Sequence, residues 1–415
     1  MREMKDSGVK WVGEIPSSWK VYKVKQIADS NNDVLPENYE EEQEIDYIEI
    51  GSVTYEHGVR TTEKMKFGNA PSRARRIVHN GDTIISTVRT YLKAIAYIND
   101  SLADKIVSTG FSVVTPHKDV VAKFLYYALS THSFISNVEA HSVGISYPAI
   151  NNTNLMDLKI VLPMQREQIQ IASYLDAKCS KIDEIIEKQQ AIIEKLKEYK
   201  LSIITEAVTS GINPDVEMKD SGSVWFGSIP INWQMKRLKY VFHIQKDIAG
   251  EEGHTVLSIT QRGIIPKDFS NNEGQFANSY ANYQLVHKGD FAMNHMDLLT
   301  GWVDISKYEG VTSPDYRVFV LNDKNGMCPE YYLYMMQMCY SARIFYGLGQ
   351  GVSGMGRWRL QADKFLNFHI PIPPYDEQKI IADYITDKVN HIEVEIDKRN
   401  KLIEKYHCLL YTSPS

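Results

Sequence analysis

The sequence predicts two α+β domains, each followed by a long helix. Three observations carry that prediction: an internal repeat, strand-and-turn patterning within each repeat, and seven-residue apolar spacing after each one. The expected boundaries are 1–164 for the first domain, 165–213 for a central spacer helix, 214–375 for the second domain and 376–415 for a terminal helix.

The repeat opens each half. Met4–Lys25 reads MKDSGVKWVGEIPSSWKVYKVK, and Met218–Lys239 reads MKDSGSVWFGSIPINWQMKRLK. The pairs Trp11/Trp225, Gly13/Gly227, Ile15/Ile229, Pro16/Pro230 and Trp19/Trp233 share one offset, 225 − 11 = 214. These residues are expected to dock each domain's opening segment onto its core, marking architecture rather than a binding site. A second match closes each half. Leu162–Gln168 (LPMQREQ) precedes the helical pattern Ile171–Asp176, and Ile372–Gln378 (IPPYDEQ) precedes Ile381–Ile385, with offset 377 − 167 = 210. The prolines suit an extended approach that stops where each helix begins.

Between these markers the pattern favours strands and turns. Tyr47–Val53 and Thr255–Thr260 read as strands, and Asn80-Gly81-Asp82 and Lys288-Gly289-Asp290 as turns before further strands. Lys123–Ser130 and Glu330–Tyr340 read as short amphipathic helices. Each half has the size of an ordinary domain.

The long helices carry coiled-coil spacing. Leu175, Ile182, Leu196 and Ile203 recur by sevens, with Ile185, Ile192 and Tyr199 between them. The terminal helix continues the theme in Ile385, Ile392, Leu402 and Tyr406, flanked by Val389, Ile396 and Ile403. One apolar stripe on each helix needs a partner, and the nearest supply is the other helix. Gln189 and Arg399 interrupt the two seams at equivalent places (399 − 189 = 210), either to fix register or to face solvent. After His407 the pattern breaks. The tail 408–415, Cys-Leu-Leu-Tyr-Thr-Ser-Pro-Ser, resembles translated sequencing adapter, so the natural helix is expected to be truncated there.

Composition narrows the class. The formal net charge of −6 argues against a wholly basic nucleic-acid binder but leaves local basic patches open. No signal peptide or membrane-length apolar run is visible. Cys179, Cys328, Cys339 and Cys408 are scattered without a C-x-x-C pair, which fits a reducing cytoplasm and no zinc or disulfide framework.

A Lys-Asp-Ser-Gly…Trp-x-Gly-x-Ile-Pro-x-x-Trp opening and a Pro-x-x-x-Glu-Gln-x-x-Ile-Ala helix start, both present twice, resemble the specificity subunits of type I restriction-modification systems. The resemblance spans nearly the whole chain and includes the order of its parts. It implies two target-recognition domains separated by helices that form an antiparallel coiled coil. Each domain would read one half of a split double-stranded DNA target. The helices would set the spacing and dock modification subunits, which use S-adenosylmethionine to methylate adenine. Endonuclease-translocase subunits, using ATP and magnesium, would join that assembly. No cofactor is expected in this chain and no membrane contact. The altered tail departs from the family pattern, so a silent cassette that no longer assembles is the alternative reading.

Sequence readers need cations for phosphates and planar or amide groups for base edges. Arg73, Arg75, Arg76, Arg89 and Lys93 cluster between Ala70 and Lys93, with Thr90 and Tyr91 among them and Asp82 as the one acid. The loop Val143–Pro148 adds Ser146 and Tyr147, followed by Asn151 and Asn152. In the second half a glycine-rich loop from Gly349 ends in Arg357, Trp358 and Arg359, with Asn294, His295 and Asp297 as weaker candidates. For each of these the bland alternative is a solvated charge or a satisfied turn.

Catalysis within the chain is not expected. Adenine methyltransferases typically place Asp or Asn before Pro-Pro-Tyr, but here Ile372 precedes Pro373-Pro374-Tyr375 and accepts no hydrogen bond. Gly347-x-Gly349-x-Gly351 lacks the strand–loop–helix context of a cofactor loop. Pro214–Lys219 mimics part of a nuclease motif but falls in a linker, and no phosphate-loop motif occurs.

Overall fold

The computed structural model describes residues 2–36, 38–269, 279–351 and 358–411. The chain divides into two compact units, Met1–Gln189 with Lys401–Ser415, and Gln190–Asn400. Each long helix therefore changes unit along its length.

Both units start alike. A hairpin pairs Met4–Asp6 with Glu14–Pro16, and its counterpart pairs Met218–Asp220 with Ser228–Pro230. Lys20–Lys23 then pairs with the closing strand Lys159–Leu162, as Gln234–Arg237 pairs with His369–Ile372. A four-stranded antiparallel sheet follows in each unit. Its order is Ile95–Tyr97, Thr83–Ser86, Phe111–Pro116, Ala28–Ser30 in the first. In the second it is Val303–Ile305, Phe291–Met293, Arg317–Leu321, Phe242–Gln245. The order matches strand for strand.

The glycine–aspartate turns that feed these sheets share one device. The buried carboxylates of Asp82 and Asp290 accept the backbone N–H of His79 (2.7 Å) and His287 (2.8 Å), while Gly81 and Gly289 take φ of 95° and 97°. That left-handed conformation is cheap only for glycine. The expected strand Tyr47–Val53 is shorter than predicted. Glu44–Ile48 forms the strand, and Ile50–Ser52 turns away as a 3-10 segment. A second sheet in the first unit runs Glu63–Lys66, Glu44–Ile48, Ile106–Ser108, Ala74–Ile77.

The closing motifs explain themselves in contacts. Trp19 donates its indole N–H to Glu167 at 2.9 Å, and Trp233 donates to Glu377 at 3.0 Å. The buried Gln168 accepts the Val121 N–H (2.8 Å) and donates to the Pro163 carbonyl (2.9 Å). Gln378 repeats this with Cys328 and Pro373, both at 3.0 Å. Val121 and Cys328 precede the helices Ala122–Ser130 and Pro329–Ser341, so one Glu-Gln pair latches both the opening strand and a helix start. Trp11 and Trp225 remain 39 % and 42 % exposed, with Trp225 lying against Gly347.

The central helix spans Gln165–Ser210 and the terminal helix Tyr375–Tyr411. Gly211, at φ 77°, ends the first by bonding back to the Ala207 carbonyl at 3.2 Å. Within the second unit the helices run antiparallel. Val208 and Ala207 share a core with Ile381 and Ile385, and farther along Lys200 pairs with Glu393 at 2.5 Å.

One seam column differs from the spacing prediction. Ile186 and Ile193 are buried, while Ile185 and Ile192 are half-buried and Tyr199 is exposed. Leu175, Ile182 and Leu196 are half-buried and Ile203 is buried. In the terminal helix Ile385, Ile392 and Ile396 are buried, but Leu402 faces outward and Ile403 takes its column. The cause is geometric: seven residues fall about 20° short of two α-helical turns, so adjacent apolar residues compete for one column. Gln189 and Arg399 are both half-buried, and Arg399 donates to Glu395 one turn earlier at 2.7 Å. The terminal helix also continues beyond His407 to Tyr411, past the predicted break, whereas 412–415 lie outside the described residues.

Candidate nucleic-acid interface

In the first domain two predicted segments meet. Arg89 and Lys93 stand at φ 51° and 54° on either side of the short turn Thr90–Leu92. Thr90 bonds the opposite loop twice, through its N–H to the Pro148 carbonyl (3.3 Å) and its hydroxyl to Ser142 (2.8 Å). Bridges at Val88–Ala149 and Val143–Ala149 complete the join. This brings the Arg89 guanidinium over the Tyr147 ring at 5.1 Å, with both side chains exposed. Tyr91, Val143 and Ile145 are exposed around them, and Ser146 is exposed in the same loop. An outward cation over an outward aromatic ring offers phosphate pairing and base stacking at one place.

The remaining basic candidates are spent differently. Arg73 pairs with Glu49 at 3.4 Å. Arg75 lies over the Phe67 ring at 4.8 Å and donates to the Ser72 carbonyl. Arg76 is half-buried within the strand Ala74–Ile77, and burial lowers its pKa. Lys93 reaches Glu139 at 4.0 Å. Asn151 caps the short helix Asn152–Met156 by accepting the Asn154 N–H at 2.7 Å. Asn152 is held between Ser112 (2.6 Å) and Ser30 (2.8 Å). Both amides thus serve the fold first.

In the second domain Trp358 stacks on Tyr346 (centroids 5.0 Å apart) and donates to the Tyr346 carbonyl at 2.6 Å. A Cβ at Gly349 or Gly351 would strike that indole, so these glycines permit close packing rather than a phosphate loop. Arg359 is exposed beside it, and Arg357 lies outside the described residues. Asn294 and Asp297 are occupied by turn bonds, to Met296 and to Leu299 and Thr300. Ile372 closes its strand and Tyr375 begins the terminal helix, which makes Pro373-Pro374 a junction.

Arg359 and His295 line a pocket of about 450 Å³ with Lys246, Arg317 and Tyr316. Arg317 is 5 % exposed and donates to the Leu360 carbonyl at 2.9 Å. Burial foremost brings its pKa down to about 10, and burial with the two arginines brings His295 to about 3. Sequence reasoning missed Lys246 and Arg317. The available signal was an arginine opening a wholly buried strand, Arg317–Leu321.

Comparison with known proteins agrees along the chain. A family model described as the type I restriction modification DNA specificity domain matches residues 16–200 and 230–405. The putative type I restriction enzyme MjaX specificity subunit of Methanocaldococcus jannaschii is 23 % identical, over 95 % of this chain and 92 % of its own. The MjaVIII specificity subunit of the same organism is 26 % identical over 68 % of this chain, and the MjaIX subunit 27 % over 45 %. The chain spans 66 % and 43 % of their respective lengths. Among solved structures, a chain from work on complex assembly and conformational transition of the type I R-M system superposes with a TM-score of 0.70 at 18 % identity, covering 96 % of both chains. The HsdS subunit from Thermoanaerobacter tengcongensis gives 0.52 at 18 %, covering 96 % of this chain and 95 % of its own.

Proposed function

The chain belongs to the type I restriction-modification DNA specificity family, and from that premise we propose that it reads a bipartite duplex target, one half-site per domain. The observation that carries this reading is a shared frame bearing unlike surfaces. The Trp–Glu and Gln latches and the strand order occur twice. The exposed cationic elements do not: Arg89 over Tyr147 in one domain, Arg359 beside Trp358 in the other. Two equivalent scaffolds with different reading loops suit two different half-sites.

The helices set the spacing between half-sites and present docking positions for modification subunits. Exposed aromatics on the two helices support the docking role because they recur in register, Tyr174 with Tyr384. Such repeated exposed rings suit two copies of one partner. Catalysis belongs to the partners, with S-adenosylmethionine on modification subunits and ATP and magnesium on endonuclease-translocase subunits.

Co-expression with the cognate modification subunit, followed by mapping of N6-methyladenine in host DNA, tests the proposal. The expected result is a split motif with a fixed unspecified gap. A stable complex that methylates one continuous site would reject bipartite reading. Failure to form a complex would favour the silent cassette.

A further inference from the structure

Burying a cation without a counter-charge is costly, and such a charge calls for a partner. Arg317 is in this position. Its described contacts are one backbone carbonyl, of Leu360, and the face of Phe365 at 5.0 Å. Its Nη1 is buried without a hydrogen-bond partner among the described residues, as is Nδ1 of His295. The pocket these residues line also receives Lys246 and Arg359, and among the described residues no carboxylate lines it. Three cationic side chains and the neutral His295 ring thus line an open volume with apolar walls at Ile244 and Tyr316.

We propose that this pocket binds a phosphate group between Arg317 and Arg359. Guanidinium forks match phosphate oxygens better than point charges do. The apolar walls leave room for the sugar that a phosphodiester carries. The site is particular to the second domain. The strand register that sets Arg317 opposite Met293 sets Ser112 opposite Ile85 in the first domain, where a buried hydroxyl bonded to Asn152 stands in place of the guanidinium. A backbone phosphate as the occupant rests on the DNA-reading proposal above, whereas a free phosphate does not.

The test uses the full chain, inorganic phosphate and a duplex of random sequence. Arg317→Met removes the buried charge at similar length, and Arg359→Gln alters an exposed position that leaves the core untouched. Phosphate is expected to raise the melting temperature above a chloride control of equal ionic strength, and each variant to lose that rise. In duplex binding, each variant is expected to flatten the dependence of log K on log salt by about 0.9 for every DNA phosphate it no longer neutralises. A melting response with unchanged salt slopes assigns the pocket to free phosphate, and a flattened slope assigns it to the DNA backbone. Absence of both a phosphate melting response and a slope change in the variants overturns the proposal. Duplex binding by the unaltered chain in that case leaves DNA reading intact. A phosphate response without any duplex binding keeps the pocket and rejects the reading.

Discussion

Trp233 donates its indole N–H to Glu377 at 3.0 Å, joining the opening of the second domain to the first turn of the terminal helix. Trp233 is fully buried, so removing the carboxylate strands a donor that water cannot reach. Glu377→Ala is expected to destabilise the second domain by about 1–3 kcal/mol. Trp233→Phe in the Glu377→Ala background should cost less than it does alone. A double-mutant cycle in denaturant would measure the coupling, and strictly additive losses would refute the latch.

The first domain's basic residues separate into binding and structural roles. Arg89→Ala is expected to weaken duplex binding and reduce its salt slope by about 0.9, the share of one phosphate, since Arg89 is exposed over Tyr147. Arg76→Ala is expected to leave binding nearly unchanged and lower stability, because Arg76 is half-buried in a sheet strand. Parallel salt titrations and melting curves check both, and the reverse assignment would remove the Arg89 loop from the interface.

The fold was legible because its frame is written twice. Trp19 and Trp233, or Gln168 and Gln378, occupy one sequence pattern since each must make the same bond to the same neighbour. The interface was less legible because basic residue types do not reveal their partners. Arg73 and Arg89 look alike in sequence, yet one faces Glu49 and the other Tyr147. Arg317 escaped notice because it stands alone in an apolar strand, and only the fold brings Lys246 and Arg359 beside it.

His295 makes the second domain sensitive to acid. Burial first, then the Arg317 and Arg359 charges, depress its folded pKa to about 3, far below the ordinary 6.5. Between these values the unfolded chain binds a proton that the folded chain refuses. Stability therefore falls as pH drops through 6.5, by up to about 1.4 kcal/mol per pH unit from this group. His295→Gln should flatten that fall between about pH 6.5 and pH 4.5. Stability–pH curves that stay parallel for the two proteins would contradict the assignment.

The helix seam makes a prediction that separates neighbours. Ile193 is 5 % exposed, while Ile192 is only half-buried, although heptad spacing alone favours Ile192. Truncating a buried isoleucine removes its transfer free energy and leaves a cavity, whereas a half-buried one relaxes into solvent. Ile193→Ala is expected to cost about 2–4 kcal/mol, and Ile192→Ala roughly half as much. In the terminal helix Ile385→Ala, at a fully buried position, should match Ile193→Ala, while Leu402→Ala at an outward one should cost under about 1 kcal/mol. Equilibrium unfolding of the four variants would decide the register. Equal losses at Ile192 and Ile193 would place the seam between the two columns.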